Sequence, residues 1–161
     1  MRLLTGSALT DTDVSIPDGY YTDESMRVTV VPNRNAIMLD IAVAVAVARK
    51  ADAVAFGAHA GDHAIYPDCR PEFVERFARM ACTANEGLLV EGFEIVAPFL
   101  TQSKADIVRI GATLEVPFER TWSCYRGGTV HCGSCGTCTE RREAFDHNNI
   151  ADPTTYRQRK R

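Results

Sequence analysis

The sequence predicts an α/β protein built on a parallel sheet, followed by a small cysteine-rich module. Three observations carry this reading. Short apolar runs alternate with helical periods from residue 28 to residue 114, the order that builds a parallel sheet with ligand loops at the carboxyl ends of its strands. Four of the six cysteines fall between Cys124 and Cys138. Finally, 161 residues at 45% hydrophobic and 8% aromatic content suffice for one domain with a core and a satellite.

Residues 1–27 read as a polar arm, with Gly6, Pro17 and Gly19 among Asp, Thr and Ser and no sustained period. An α/β body is expected over 28–116. In it, 28–31 (VTVV) is a β-branched strand candidate stopped by Pro32. Asn33 or Asn35 can then cap a helix over 36–50. That helix is apolar on nearly every face, so it is expected to be buried.

The run 53–57 (AVAFG) is a second strand, and the polar loop 58–68 leads from its carboxyl end to a helix over 71–84 opened by Pro71. Residues 94–97 form a third strand ending at Pro98. A helix over 103–114 follows, with Ile107, Ile110 and Leu114 on one stripe. From 117 to 150 the pattern changes to a Gly- and Cys-rich module and a polar helix over 139–147, and 151–161 is a basic tail.

The net charge of −3 offers no general field for polyanions. The tail, with four positive charges between Arg157 and Arg161, reads as a solvated terminus. No charged-then-apolar leader opens the sequence, and its most apolar run, 36–48, is interrupted by Asp40 and too short to span a bilayer. A cytoplasmic protein without a membrane partner is therefore expected. In a reducing compartment clustered thiols point to a metal or to redox chemistry, whereas the isolated Cys69 and Cys82 read as small buried hydrophobes.

Cys132, Cys135 and Cys138 form CxxCxxC, with Cys124 upstream. The CxxC spacing lets two sulfurs converge on one ion through a tight turn, and Gly133 and Gly136 supply backbone freedom there. Four thiolates satisfy a tetrahedral zinc ion and leave no open position, so the expected cofactor is structural Zn2+. An iron–sulfur cluster fits less well, because the bacterial ferredoxin run needs a further cysteine and a trailing proline. His131 is expected to face solvent. A nucleic-acid-binding knuckle would need interleaved basic and aromatic residues, a pattern that Trp122, Tyr125, Arg126, Arg141 and Arg142 meet only in part.

Five further stretches lie in order along the chain: VPNRN at 31–35, GAHAGDHAIYPDCRPEF at 57–73, TQSKADIVRIG at 101–111, TWSCY at 121–125 and DPTTY at 152–156. With the CxxCxxC they resemble the QueC family of 7-cyano-7-deazaguanine synthases, which act in queuosine and archaeosine precursor biosynthesis. The resemblance implies a Rossmann-like fold of the adenine nucleotide alpha hydrolase type. It also implies an ATP-dependent ligase, with Mg2+, that converts 7-carboxy-7-deazaguanine and ammonia to the nitrile. Structural zinc would sit on Cys124, Cys132, Cys135 and Cys138.

The resemblance places substrate or nucleotide contacts at Arg34, Asn35, Asp62, Tyr66, Asp68, Arg70 and Lys104. One departure is large. The family's SGGxDS phosphate loop, whose backbone N–H groups and hydroxyls cradle pyrophosphate, is not found in the sequence, and the string from Gly6 to Asp11 is no equivalent. A body shortened at its amino end is therefore expected, with a second copy or a separate chain carrying the loop as partner.

His59 and His63 stand four apart but in a glycine-containing loop, so no second metal is expected. Cys69 is not expected to act as a nucleophile, since adenylation supplies the electrophile. A non-catalytic zinc-stabilised module that binds a deazapurine or a partner protein is the competing reading, and a nucleic-acid-binding zinc protein the weaker third.

Overall fold

A computed structural model describes residues 5–20 and 23–157. These group into two compact units, one spanning Pro32–Gln102 and the other made of the described parts of Met1–Val31 and Ser103–Arg161.

The first unit contains α2 (Arg34–Arg49), β1 (Ala53–Ala55), α3 (Pro71–Ala84) and β2 (Glu94–Val96), preceded in chain order by a one-turn helix α1 (Asp23–Met26) that belongs to the second unit. The two strands pair in parallel with Val54 opposite Ile95, as the alternating pattern predicts. Phe56 extends the ladder by donating its N–H to the Val96 carbonyl at 3.0 Å. Leu39, Val43 and Ala46 of α2, Val54 of β1, and Phe77 and Ala81 of α3 make the core. Pro71 sits in the first turn of α3, where its missing N–H costs nothing.

Three expectations fail here. Helix α2 is not buried all round: the sheet and α3 cover one stripe, and Met38, Ile41 and Val45, at spacings of three and four, are 63%, 62% and 54% exposed. Its cap is also not an asparagine side chain. Asn33 adopts a left-handed conformation (φ 60°) without a capping bond, and the Asp68 carboxylate accepts the Asn35 N–H at 3.0 Å instead. In the same unit Cys82 is exposed and only Cys69 is buried.

In the second unit the predicted strand at 28–31 is a 3-10 turn, Arg27–Thr29. The reason is local hydrogen bonding. The Thr29 hydroxyl donates to the Met26 carbonyl at 2.6 Å and the Val30 N–H to Arg27 at 3.2 Å, so these groups have no need of a ladder. Met26 and Thr29 are buried beneath a compact arm whose Ala8 N–H donates to Val28 at 2.7 Å.

Helix α4 (Lys104–Thr113) opens with a capping box between Ser103 and Asp106. Its buried positions are Val108 and Gly111, and Leu114 is 70% exposed, so the expected stripe is rotated. Gly111 explains the rotation: a Cβ there would stand 2.8 Å from the Phe118 ring, and its absence lets that ring lie on the α4 backbone. Phe118 meets Phe145 edge-on at 4.9 Å. Phe145 lies on α5 (Gly136–His147), which begins inside the cysteine run, three residues earlier than its polar pattern indicated.

Arg141 of α5 is a buried hub. Its guanidinium donates to Asp152 (3.2 Å), the Thr121 hydroxyl (2.7 Å) and the Phe118 carbonyl (3.1 Å), and lies 4.9 Å from the Phe145 ring centre. Arg141 thereby ties the DPTTY segment to α5, and within that segment Tyr156 donates its hydroxyl to the other Asp152 oxygen.

Candidate functional site

The four cysteines of the second unit converge. Cys135 and Cys138 are fully buried and Cys124 and Cys132 nearly so, with all four sulfurs within 4.8 Å of one another. The Cys132 and Cys138 sulfurs lie 4.0 Å apart, about the edge of a tetrahedron whose metal–sulfur bonds are about 2.3 Å and far beyond a disulfide bond. The donor set therefore fits a closed four-sulfur site. Among the described residues it is the group of three or more metal-ligating side chains that meets in this way.

Backbone amides tune the sulfurs. Cys132 accepts N–H groups from Ser134 (3.4 Å) and Cys135 (3.3 Å), and Cys124 accepts that of Cys132 (3.3 Å). Burial raises the Cys132 thiol, but these bonds outweigh it and bring it down to about 6. Burial holds Cys124 and Cys138 up. Gly133 takes φ 74°, the left-handed turn that aims those amides at sulfur.

His131 is buried rather than solvent-facing. Its Nε2 accepts the Ser123 N–H at 3.1 Å, and its ring stacks on Trp122 at 4.1 Å. Burial and the neighbouring Arg141 lower its pKa against the pull of Asp152, so it is a neutral acceptor outside the ligand set. Trp122 in turn donates its indole N–H to the Cys124 carbonyl at 2.8 Å.

The arm docks on the knuckle. Gly19 donates its N–H to Ser134 (2.9 Å), Asp18 bridges Cys135, and Ile16 packs on the thiols. Arg126 pairs with Asp18 at 2.8 Å and donates to the Ile16 carbonyl and the Ser134 hydroxyl. Nothing in the spacing marked Asp18, Gly19 or Arg126 as partners, because the contacts join segments more than a hundred residues apart. Arg126, Arg141 and Arg142 are all engaged internally, Arg142 through the Gly133 carbonyl and the Tyr156 ring.

A second locus forms beyond the carboxyl end of β1, and it collects most of the residues expected to bind ligand. Asn35 donates its side-chain amide to the Asp68 carbonyl (3.1 Å) and the Cys69 sulfur (3.2 Å), and its Oδ1 accepts the Arg34 Nε–H (3.3 Å). Arg34 lies over the Tyr66 ring at 5.9 Å. Asp62 pairs with His59 Nε2 at 3.3 Å, while His59 Nδ1 accepts the Gly61 N–H.

His63 Nε2 is buried without a hydrogen-bond partner among the described residues. Arg70 donates to the His63 carbonyl at 2.8 Å and is exposed. Burial, reinforced by Asp62 and Asp68, pushes the Cys69 thiol up to about 12, so it stays protonated. Lys104 belongs to the other unit, where it forms an ion pair with Glu140 that joins α4 to α5.

Together these features define an α/β protein with a polar loop at the end of a parallel strand and four buried cysteines placed so that they could hold a metal ion. The sequence model described as queuosine biosynthesis protein QueC matches residues 1–149, and the chain belongs to that family. The match takes in the arm and every quoted motif except DPTTY at 152–156. Among its relatives is a 7-cyano-7-deazaguanine synthase of Allorhizobium ampelinum, 60% identical over 153 residues, which covers 95% of this chain and 64% of that protein.

A 7-cyano-7-deazaguanine synthase 1 of Mesorhizobium japonicum is 60% identical over 155 residues, covering 96% of this chain and 66% of that protein. A 7-cyano-7-deazaguanine synthase of Brucella ovis is 60% identical over 153 residues, covering 95% of this chain and 65% of that protein. The chain thus spans about two thirds of the length of the curated relatives it matches. No helix among the described residues is long and apolar enough to cross a membrane.

Proposed function

We propose that this chain is the deazapurine-recognising, zinc-stabilised portion of a cytoplasmic 7-cyano-7-deazaguanine synthase, which joins 7-carboxy-7-deazaguanine and ammonia at the expense of ATP. Identity of 60% across 95% of the chain to proteins of that name carries the reading. The polar loop at the end of β1, where α/β sheets bind ligands, supports it.

A carboxylate is a poor electrophile, so ATP adenylates it and pyrophosphate leaves. Ammonia then displaces AMP to give the amide. A second adenylation of the amide oxygen lets AMP and a proton depart, leaving the nitrile. Asp68 or Asp62 would accept the amidine-like N–H edge of the deazaguanine. Arg34 and Arg70 would meet carboxylate or phosphate charge, Tyr66 would offer its ring, and Lys104 at the start of α4 would meet phosphate. Zinc, held by Cys124, Cys132, Cys135 and Cys138, supplies structure only, since four sulfurs fill its coordination.

The phosphate loop SGGxDS is not in these residues, so ATP and Mg2+ binding would need residues outside them. The same observation favours a second reading, a non-catalytic module that binds deazapurine. Titration calorimetry followed by product analysis separates the two. The chain is expected to bind 7-carboxy-7-deazaguanine but not ATP, and to yield the nitrile by mass spectrometry once a polypeptide carrying SGGxDS is added with ATP, Mg2+ and ammonia. Binding without turnover selects the module, and failure to bind the deazapurine contradicts both.

A further inference from the structure

We infer that Asn35 is a positioning residue, one that reaches no ligand itself but holds Asp68 and Arg34 as a single recognition element; the inference rests on the functional reading above. An asparagine offers two side-chain N–H donors and one carbonyl oxygen. Both donors of Asn35 are spent, on the Asp68 carbonyl and the Cys69 sulfur, and its oxygen holds the Arg34 Nε–H. Its backbone N–H is spent on Asp68 Oδ2.

No donor therefore remains to read a ligand, while three of the four contacts fall on Asp68 and Arg34, the groups that can. Asp68 keeps Oδ1 for a ligand N–H. Arg34 keeps its two terminal nitrogens, which suit a carboxylate. The Arg34 guanidinium is further steadied over Tyr66. A carboxylate and a guanidinium fixed side by side match a planar ligand with a donor edge and an acidic substituent, which is the chemistry of 7-carboxy-7-deazaguanine.

The lock also sets the end of the YPDC loop on the amino terminus of α2. Here the Asp68 carboxylate occupies the place that a free anion would otherwise take. The α2 terminus is thus closed to phosphate, and Arg34 with Asp68, rather than the helix end, meets the ligand.

The test is a double-mutant cycle with 7-carboxy-7-deazaguanine as probe, on the full chain loaded with zinc and carrying Cys82→Ser. Asn35→Ala and Asp68→Asn are each expected to weaken binding at least about tenfold, as lost hydrogen bonds to a charged group do. In a background carrying Asp68→Asn and Arg34→Ala, Asn35→Ala should weaken binding no more than about twofold further, because Asn35 acts through those two groups. Multiplying effects would mean that Asn35 touches the ligand, and would overturn the inference.

A second readout needs no ligand. Labelling of the buried Cys69 by a thiol reagent should speed up at least about tenfold in Asn35→Ala and in the isosteric Asn35→Asp, which keeps the shape and loses both donors. Unchanged labelling would overturn the lock whatever the probe does. A wild-type chain that takes up no probe would overturn the functional reading, and the lock would then stand or fall on Cys69 labelling.

Discussion

Withdrawal of the metal by a strong chelator is expected to unfold the unit that contains the arm, α4 and α5, while the core of Leu39, Val43, Val54 and Phe77 keeps its helices. The sulfurs of Cys124, Cys132, Cys135 and Cys138 are buried and crowded within 4.8 Å, and burial alone disfavours the thiolates a metal needs. A structural zinc ion repays this with binding free energy on the order of 10 kcal/mol, which in such a unit is folding free energy. The arm should go with the knuckle, since Gly19, Asp18 and Ile16 are held by Ser134, Cys135 and Arg126.

The single tryptophan is a built-in reporter, stacked on His131 and bonded to the Cys124 carbonyl. Its emission should shift to the red on chelation and return when zinc is restored. Cys138→Ser should show the red-shifted state from the outset. Acid acts in the same direction, because protons compete with the ion for thiolates.

Arg141→Ala is expected to cost about 3–5 kcal/mol of stability at neutral pH, measured by urea unfolding followed at Trp122. The substitution removes one partner of a buried pair whose side chains are 9% and 11% exposed, and it strands Asp152 and the Phe118 carbonyl. Burial raises the Asp152 pKa, but bonds from Tyr156 and Thr154 and the charge of Arg141 outweigh it and hold the carboxyl below its ordinary value. A depressed folded pKa gives a stability contribution that is complete above the unfolded value of about 3.9 and fades as the pH falls through the folded one. The gap between wild type and variant should therefore narrow below about pH 4. A Tyr156→Phe change should cost less, since the arginine still neutralises the carboxylate.

Helices α2 to α5 were legible because their signals are local: Pro71 at a first turn, apolar runs and spacing in α2 to α4, and a polar run in α5. The convergence of the cysteines was legible because CxxC spacing is itself a geometric statement. What could not be read depends on partners distant in sequence. The β-branched run at 28–31 looks like a strand, yet Thr29 closes on Met26 and the segment turns. Leu114 fits a stripe by period, yet the missing Cβ of Gly111 rotates α4 onto Phe118.

His131 was expected to face solvent and Arg141 stood in an incomplete nucleic-acid pattern, yet both are buried because Ser123, Thr121 and Asp152 satisfy them. Of the expected ligand residues, Arg34, Asn35, Tyr66 and Asp68 do meet at one strand end. Their division of labour, with asparagine spent on holding the others, shows only in hydrogen bonds.

The central claim is a metal bound by four sulfurs that organises the unit around it. Zinc K-edge X-ray absorption on the purified chain tests it most directly. The expected result is one zinc per chain with four sulfur neighbours at about 2.3 Å and no light scatterer in the first shell. A fit that requires nitrogen or oxygen neighbours, or zinc well below one equivalent in folded protein, would contradict it.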